Sequence, residues 1–146
     1  MAVTGKKPEN RYSARLVKEP NFPASIDMCG EFYLYIENTL KNCNFEQAER
    51  MEGKSKSTGI HRRIPSLDEW RLVAEHIEEI ENILMSDVYK AGVHSTSGTL
   101  IDKRFWAVDE KGKCCCFMFK MDRTYLILEQ SPVFIVTLRE VFVAEN

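Results

Sequence analysis

Cysteine and histidine are the side chains of this sequence that could act as nucleophiles, bases or metal ligands. There are five cysteines and three histidines: Cys29, Cys43, Cys114, Cys115, Cys116, His61, His76 and His94. No Cys-x-x-Cys or His-x-x-x-His spacing occurs among them, so the sequence predicts no metal site. A nucleophilic cysteine–histidine pair, for example Cys116 with His94, stays open, because such partners meet only in space.

The run Cys114-Cys115-Cys116 predicts packing rather than ligation. Successive side chains of a strand point to opposite faces, so three adjacent thiols cannot all reach one metal ion. Free cysteine behaves as a small buried hydrophobe, and we expect this role for Cys114 and Cys116. An odd number of cysteines also argues against a full disulfide framework.

Acidic side chains are the second kind of candidate. The helix predicted to begin at Ser66 carries carboxylates with the spacing of a solvated face, whereas glycosidase chemistry needs two inward carboxylates. Glu19-Pro20-Asn21 has the form of the calcium and sugar motif of mannose-type lectins, but no Trp-Asn-Asp partner follows it. The sequence therefore predicts no calcium site and no cofactor.

Length and charge exclude several classes of function. The chain has 146 residues and a formal net charge of −2, which fits one domain and argues against a nucleic-acid partner. No apolar run is long enough for a membrane-spanning helix, and Met1 to Asn10 lack the apolar run of a signal peptide. We expect no membrane insertion, and a surface location would require that a leader had been removed.

The first third of the chain predicts an arm, a strand and a short helix. Residues 1–27 are polar and interrupted by prolines, which is typical of an N-terminal arm or tail, and residues 28–146 are expected to form a single domain. Glu31 to Glu37 alternates as a strand with one buried face does. A helix is predicted from Asn44, which has capping-box spacing to Gln47, as far as Gly53.

A longer helix is predicted from Ser66 to about residue 86. Ser66 and Glu69 have capping-box spacing, and Pro65 prevents an earlier start. Apolar residues then recur at the spacing of one buried stripe: Leu67, Trp70, Val73, Ala74, Ile77, Ile80, Ile83 and Leu84. We expect this stripe to pack against the late strands of the chain.

The last third predicts an antiparallel meander after a polar loop over residues 86–104. Strand patterns separated by turn residues cover Phe105 to Val108, Cys114 to Lys120, Tyr125 to Glu129 and Val133 to Val143. Helices followed by closely spaced strands indicate an α+β fold.

The segment Arg63-Ile64-Pro65-Ser66-Leu67-Asp68-Glu69-Trp70 resembles the Arg-Leu-Pro-Thr-x-x-Glu-Trp/Leu signature of the bacterial DUF1566 and Fibrobacter succinogenes paralogous domain group. Three further segments match motifs of this group in the same order: Phe45-Glu46-Gln47-Ala48, Arg104-Phe105-Trp106-Ala107 and Leu138-Arg139-Glu140-Val141. The resemblance covers residues 44–142. This chain departs from the group where Ile60-His61-Arg62 replaces its Gly-Trp, which makes it a divergent member.

The resemblance implies a C-type-lectin-like fold, with two helices packed on antiparallel strands and with paired terminal strands. It implies pairing of Phe32 to Ile36 with Val133 to Val143. Such folds bind through the loop after the second helix and the strands that follow. The candidate contact residues are therefore His94, Arg104, Trp106, Asp109, Lys111, Arg123 and Tyr125. For Trp106, packing in the core is the competing interpretation.

These expectations combine into a non-enzymatic binding or interaction module of bacterial origin, with a protein or carbohydrate ligand. Two alternatives stay open: a small enzyme with a Cys/His site, and a structural subunit of a surface or phage-derived assembly. A cleft with a cysteine and a histidine in hydrogen-bond reach would favour catalysis. A flat aromatic and polar face would favour binding.

Overall fold

The computed structural model describes residues 13–19, 22–54, 61–86, 100–131 and 136–145. These residues form an α+β fold. The strands and helices follow one another in this order: β1 (Ala14–Glu19), β2 (Phe22–Met28), β3 (Phe32–Cys43), α1 (Phe45–Arg50), β4 (Gly53–Lys54), β5 (His61–Arg63), α2 (Leu67–Glu75), α3 (Ile77–Leu84), β6 (Arg104–Val108), β7 (Cys114–Phe119), β8 (Tyr125–Glu129) and β9 (Val136–Glu145).

The strands are hydrogen-bonded in the order β1-β2-β3-β9-β6-β7-β8, with β5 also paired to β9 and β4 to β5. All pairs are antiparallel except β6 with β9, which meet in parallel at Arg104 and Leu138 alone. The sheet thus has two well-paired parts, β1-β2-β3-β9 and β6-β7-β8, joined by a narrow contact.

Alternation along β6 and β7 produces a core on each face of the meander. Phe105 and Phe117 lie on the face covered by α2 and α3, while Trp106 and Cys116 lie on the face that packs with Phe45 of α1. The Trp106 indole donates a hydrogen bond to the carbonyl of Cys43 (3.2 Å). Burial on both faces explains why β6 and β7 are apolar at almost every position.

The three adjacent cysteines alternate as the sequence predicts. Cys115 belongs to the core under α2 and α3, whereas Cys116 and Cys114 pack with Trp106 on the other face. Cys116 is fully buried, and Cys114 is half-buried, with its Sγ donating to the carbonyl of Gln130 (3.4 Å). All five cysteines are free thiols in the structure.

Both predicted capping boxes are present. Asn44 and Gln47 bond reciprocally at the start of α1, and Ser66 and Glu69 do so at the start of α2. Each box satisfies backbone N–H groups that the first turn of a helix leaves without partners. The sequence therefore located both helix starts to the residue.

Two sequence expectations are corrected by the structure. The described part of the predicted arm over residues 1–27 contains β1 and all of β2 except its last residue. Ile26 in this part and Met28 directly after it are fully buried core residues. Prolines and polar residues interrupt the apolar pattern of this segment, and polar Ser25 and Asp27 are themselves buried, so the pattern does not predict these strands. The single helix predicted from Ser66 is broken at His76, whose backbone (φ −117°, ψ 24°) is not helical.

The pairing of the early strand with the last one is as expected. Leu34 is opposite Val143 and Ile36 is opposite Val141, and a second stretch pairs Leu40–Cys43 with Val136–Arg139 after a shift in register. The early strand is longer than predicted and runs to Cys43. The central strand pair of the fold thus joins segments from opposite ends of the chain.

Candidate functional site

A tight turn between β2 and β3 presents Cys29. The N–H of Glu31 donates to the carbonyl of Met28 (2.9 Å), and the N–H of Gly30 donates to Oδ1 of Asp27 (2.8 Å). Cys29 and Gly30 both have positive φ, 59° and 80°. The left-handed conformation is natural for glycine and uncommon for cysteine. The half-buried Cys29 thiol is therefore held at the tip of a strained turn.

His76 and Glu79 complete a three-residue constellation with this thiol. Cys29 Sγ lies 3.3 Å from His76 Nε2, and His76 Nδ1 lies 3.2 Å from Glu79 Oε1. The other carboxylate oxygen, Glu79 Oε2, accepts the backbone N–H of Ala14 (3.0 Å). Since a carboxylate only accepts, Nδ1 donates in this bond and Nε2 offers its lone pair to the thiol. The order nucleophile, base and orienting acid is that of an activated nucleophile.

The surroundings of Cys29 keep its thiol protonated. Burial raises the pKa of Cys29 above its ordinary value, and the carboxylates of Glu79, Asp27, Glu31 and Glu75 raise it further. A thiolate is disfavoured among these negative charges. Any attack by this sulfur therefore needs a base that takes the proton as the bond forms.

The other cysteines are less suited to nucleophilic attack. Burial raises the pKa of Cys115 to about 11 and that of Cys116 to about 12. Cys43 is also buried. Cys114 is half-buried, and burial raises its pKa as well. Since the thiolate or a thiol beside a base is the reactive form, Cys29 is the best placed of the five.

The open side of β8 is the second candidate site. Within the described residues β8 has one neighbouring strand, β7, and lies at the end of the strand order. Three consecutive apolar side chains are exposed there: Tyr125 at 39%, Leu126 at 43% and Ile127 at 37%. Tyr125 stacks on Phe117 (ring centroids 4.6 Å apart). An open strand edge with apolar side chains is a template for pairing with another chain.

A groove of about 790 Å³ adjoins this edge. It is lined from α1, α2, the β6–β7 turn and β8, including Phe45, Leu67, Arg71, Lys113, Ile127 and Glu129. Its lining mixes apolar side chains with charges of both signs. No histidine lines it, so the Cys29–His76 pair lies outside this groove.

The structure divides the sequence-predicted contact residues between two ends of the meander. Asp109 and Lys111 belong to the β6–β7 turn, where Asp109 Oδ1 accepts the N–H groups of Lys111 (2.8 Å) and Lys113 (2.9 Å). Arg104, Arg123 and Tyr125 lie at the opposite end of β7, because Arg104 is paired with Met118 and Tyr125 with Phe119. The two groups are separated by the length of β7, about 17 Å at 3.4 Å per residue. They do not form one cluster.

Trp106 is 3% exposed and hydrogen-bonded, so its use as an exposed aromatic platform is wrong and the packing interpretation is confirmed. The reason is that α1 covers the face of β6 on which Trp106 lies. His94 lies outside the described residues.

The residues that sequence reasoning missed are Cys29, His76, Glu79, Leu126 and Ile127. Two signals point to the first three: a Cys-Gly pair between strand patterns, and a histidine three residues before a glutamate on a helix. Neither signal joins Cys29 to His76, which are 47 residues apart. Their contact depends on the turn after β2 meeting the break between α2 and α3.

Comparison of the chain with protein-family models, with curated proteins and with solved structures gives no match. None of the helices in the described ranges is both long and apolar enough to cross a membrane. Among the described side chains, no group of three or more His, Cys, Asp or Glu residues could hold a metal ion. The geometry of the two candidate sites therefore carries the functional argument.

Proposed function

We propose that this chain is a protein-binding module that receives an extended segment of its partner along the open edge of β8. The observation that carries the proposal is the run of three exposed apolar side chains, Tyr125, Leu126 and Ile127, on a strand that is paired with β7 alone among the strands the structure describes. In strand addition, backbone hydrogen bonds supply affinity and alternate side chains supply specificity. β8 offers both to an incoming strand.

The two faces of β8 would contact different side chains of the partner. Tyr125 and Ile127 lie towards α2, since they pair with Phe119 and Phe117 of that core, whereas Leu126 lies on the other face, opposite Met118. Ile127 and Glu129 also line the groove, so alternate partner residues would enter it. The groove carries positive charges at Arg71 and Lys113 and a negative charge at Glu129. These charges favour a partner segment of mixed apolar and polar character.

A divergent C-type-lectin-like domain of the DUF1566 and Fibrobacter succinogenes paralogous group remains our proposal for the fold family. It is supported by the order of the sequence motifs and by the antiparallel pairing of β3 with β9. The bacterial origin and a display role on a surface belong to the same proposal. A carbohydrate ligand, or a role as a structural subunit, is the competing outcome of the experiment below.

The experiment selects random octapeptides displayed on phage against the folded protein and measures the affinity of the selected synthetic peptides. Leu126→Lys places a charge on the binding edge, and Met121→Lys is the matched control, because Met121 is 73% exposed in the β7–β8 turn. We expect Kd to rise at least tenfold in Leu126→Lys and to stay unchanged in Met121→Lys. A glycan array is probed in parallel.

Three results would overturn the proposal. They are a failure to select any peptide, equal affinity of the Leu126→Lys variant, and binding confined to glycans. Amide exchange of β8 with and without peptide gives a direct readout, since strand addition must slow exchange at Tyr125 to Glu129.

A further inference from the structure

We propose that Cys29, His76 and Glu79 form a nucleophilic site, at which the thiol accepts an acyl group from an uncharged or cationic thioester. This site is separate from the β8 edge, and the inference does not depend on peptide binding there. It adds a covalent modification site to a binding module.

The geometry defines the transfer step. Cys29 Sγ attacks the thioester carbonyl while its proton passes to His76 Nε2, 3.3 Å away. The new S–C bond forms as the old one breaks, and the leaving thiolate takes the proton from His76. Glu79 holds the imidazole through Nδ1 and is itself held by the N–H of Ala14. The reaction is therefore a thiol–thioester exchange with no net change of oxidation state.

The turn presents the sulfur to an incoming reagent. The positive φ of Cys29 places a residue with a Cβ where glycine would be the ordinary choice. Strained positions of this kind persist only where the surrounding structure holds them, and they cluster at functional sites. The hydrogen bonds from Gly30 to Asp27 and from Glu31 to Met28 hold this one.

The charges facing Cys29 decide which electrophiles can approach. Asp27 lies on β2, Glu31 in the turn, Glu75 on α2 and Glu79 on α3, and all four act on the thiol. Arg15 of β1 is paired to Asp27 (3.0 Å), and His76 is bonded to Glu79. The remaining field is negative, so an anionic acyl donor is repelled and a neutral or cationic one is not.

The same charges make His76 necessary. A thiol among carboxylates gives little thiolate at neutral pH, so attack without a base should be slow. With the imidazole in place, the proton leaves as the bond forms, and the rate does not depend on prior ionisation. The reactivity of Cys29 near neutral pH therefore measures whether His76 acts as a base.

The experiment uses the acetyl and succinyl thioesters of N-acetylcysteamine, which are neutral and anionic, and follows each cysteine by peptide mass mapping. Cys114 is the internal control, because it is half-buried and its Sγ bonds to a backbone carbonyl. At pH 7 we expect Cys29 to be acetylated at least tenfold faster than Cys114. Succinylation of Cys29 should be slower than its acetylation.

Two variants distinguish a role of His76 as a base from a purely structural role. His76→Gln and Glu79→Gln should each lower the acetylation rate of Cys29 at least tenfold while the rate of Cys114 stays unchanged, which shows that the fold is intact. In His76→Gln the remaining rate should rise tenfold per pH unit, as thiolate does, and the wild-type rate should rise less steeply. Equal rates at Cys29 and Cys114, or a His76→Gln rate equal to wild type, would overturn the inference.

Discussion

At the scale of single residues, Glu69 shows how one carboxylate can serve several partners. Its Oε1 and Oε2 accept hydrogen bonds from Nη1 and Nη2 of Arg63, each at 2.7 Å, and Oε1 also accepts the N–H of Ser66 (2.8 Å). Burial by itself raises the pKa of Glu69, but the bonds from Arg63 and Ser66 outweigh burial and hold the pKa below its ordinary value of 4.5. Arg63 of β5 is thus tied to α2 through Glu69.

The pKa of Glu69 predicts a pH-dependent stability. A carboxyl whose pKa is lowered by folding stabilises the native state above its unfolded pKa, and this stabilisation is lost as pH falls through the folded pKa. We expect Glu69→Gln to lower the free energy of unfolding at pH 7. The difference from wild type should shrink as pH falls below about 4.5.

Urea unfolding at a series of pH values measures this difference. Glu78→Gln is the control, because Glu78 is exposed on α3. A difference that stays constant from pH 7 to pH 3 would show that Glu69 does not titrate as described.

At the scale of elements, α2 and α3 owe their position to an aromatic cluster around Trp70. Its ring stacks on Phe105 (4.7 Å) and Phe117 (5.6 Å), and its Nε1 donates to the carbonyl of Trp106 (3.3 Å). These contacts place α2 on the late strands, as the sequence predicted. The α3 helix reaches β1 as well, through the bond between Glu79 and Ala14.

The apolar stripe continues across the break at His76 into α3. A substitution at Ile77 therefore tests whether this stripe anchors α3 in the core. Ile77 is 6% exposed and belongs to the same core cluster as Trp70. Because truncation leaves a cavity, Ile77→Ala should destabilise the fold by about 2–5 kcal/mol. Glu78→Ala, one residue on and exposed, should change the free energy by less than about 0.5 kcal/mol. Chemical denaturation of both variants measures the contrast, and equal effects would mean that Ile77 does not anchor α3.

At the scale of the whole molecule, the pairing of β3 with β9 ties the early and late parts of the chain together. The two strands pair along both halves of β3, and β9 also meets β5 and β6. β9 is therefore the strand through which β1-β2-β3 and β6-β7-β8 belong to one sheet. Its position is non-local, since β3 ends at Cys43 and β9 begins at Val136.

This arrangement predicts cooperative protection of the two strands. Amides of Tyr33 to Ile36 and of Val141 to Ala144 should exchange with the same free energy of opening, close to that of global unfolding. Amides on the open side of β8 should exchange faster, because in the described part of the chain β8 is paired with β7 alone. Hydrogen exchange read by NMR compares the two sets. Fast exchange of β9 with a protected β3 would contradict the pairing.

The sequence by itself determined the features that depend on neighbours along the chain. The capping residues Asn44 and Ser66, the apolar stripe that includes Ile77, and the alternation that separates Cys115 from Cys116 follow from helical and strand periodicity. The contact of Cys29 with His76, the open edge at β8 and the burial of Trp106 were decided by tertiary structure alone. Each of these depends on which distant segment covers a given face or edge, and local periodicity carries no information about that choice.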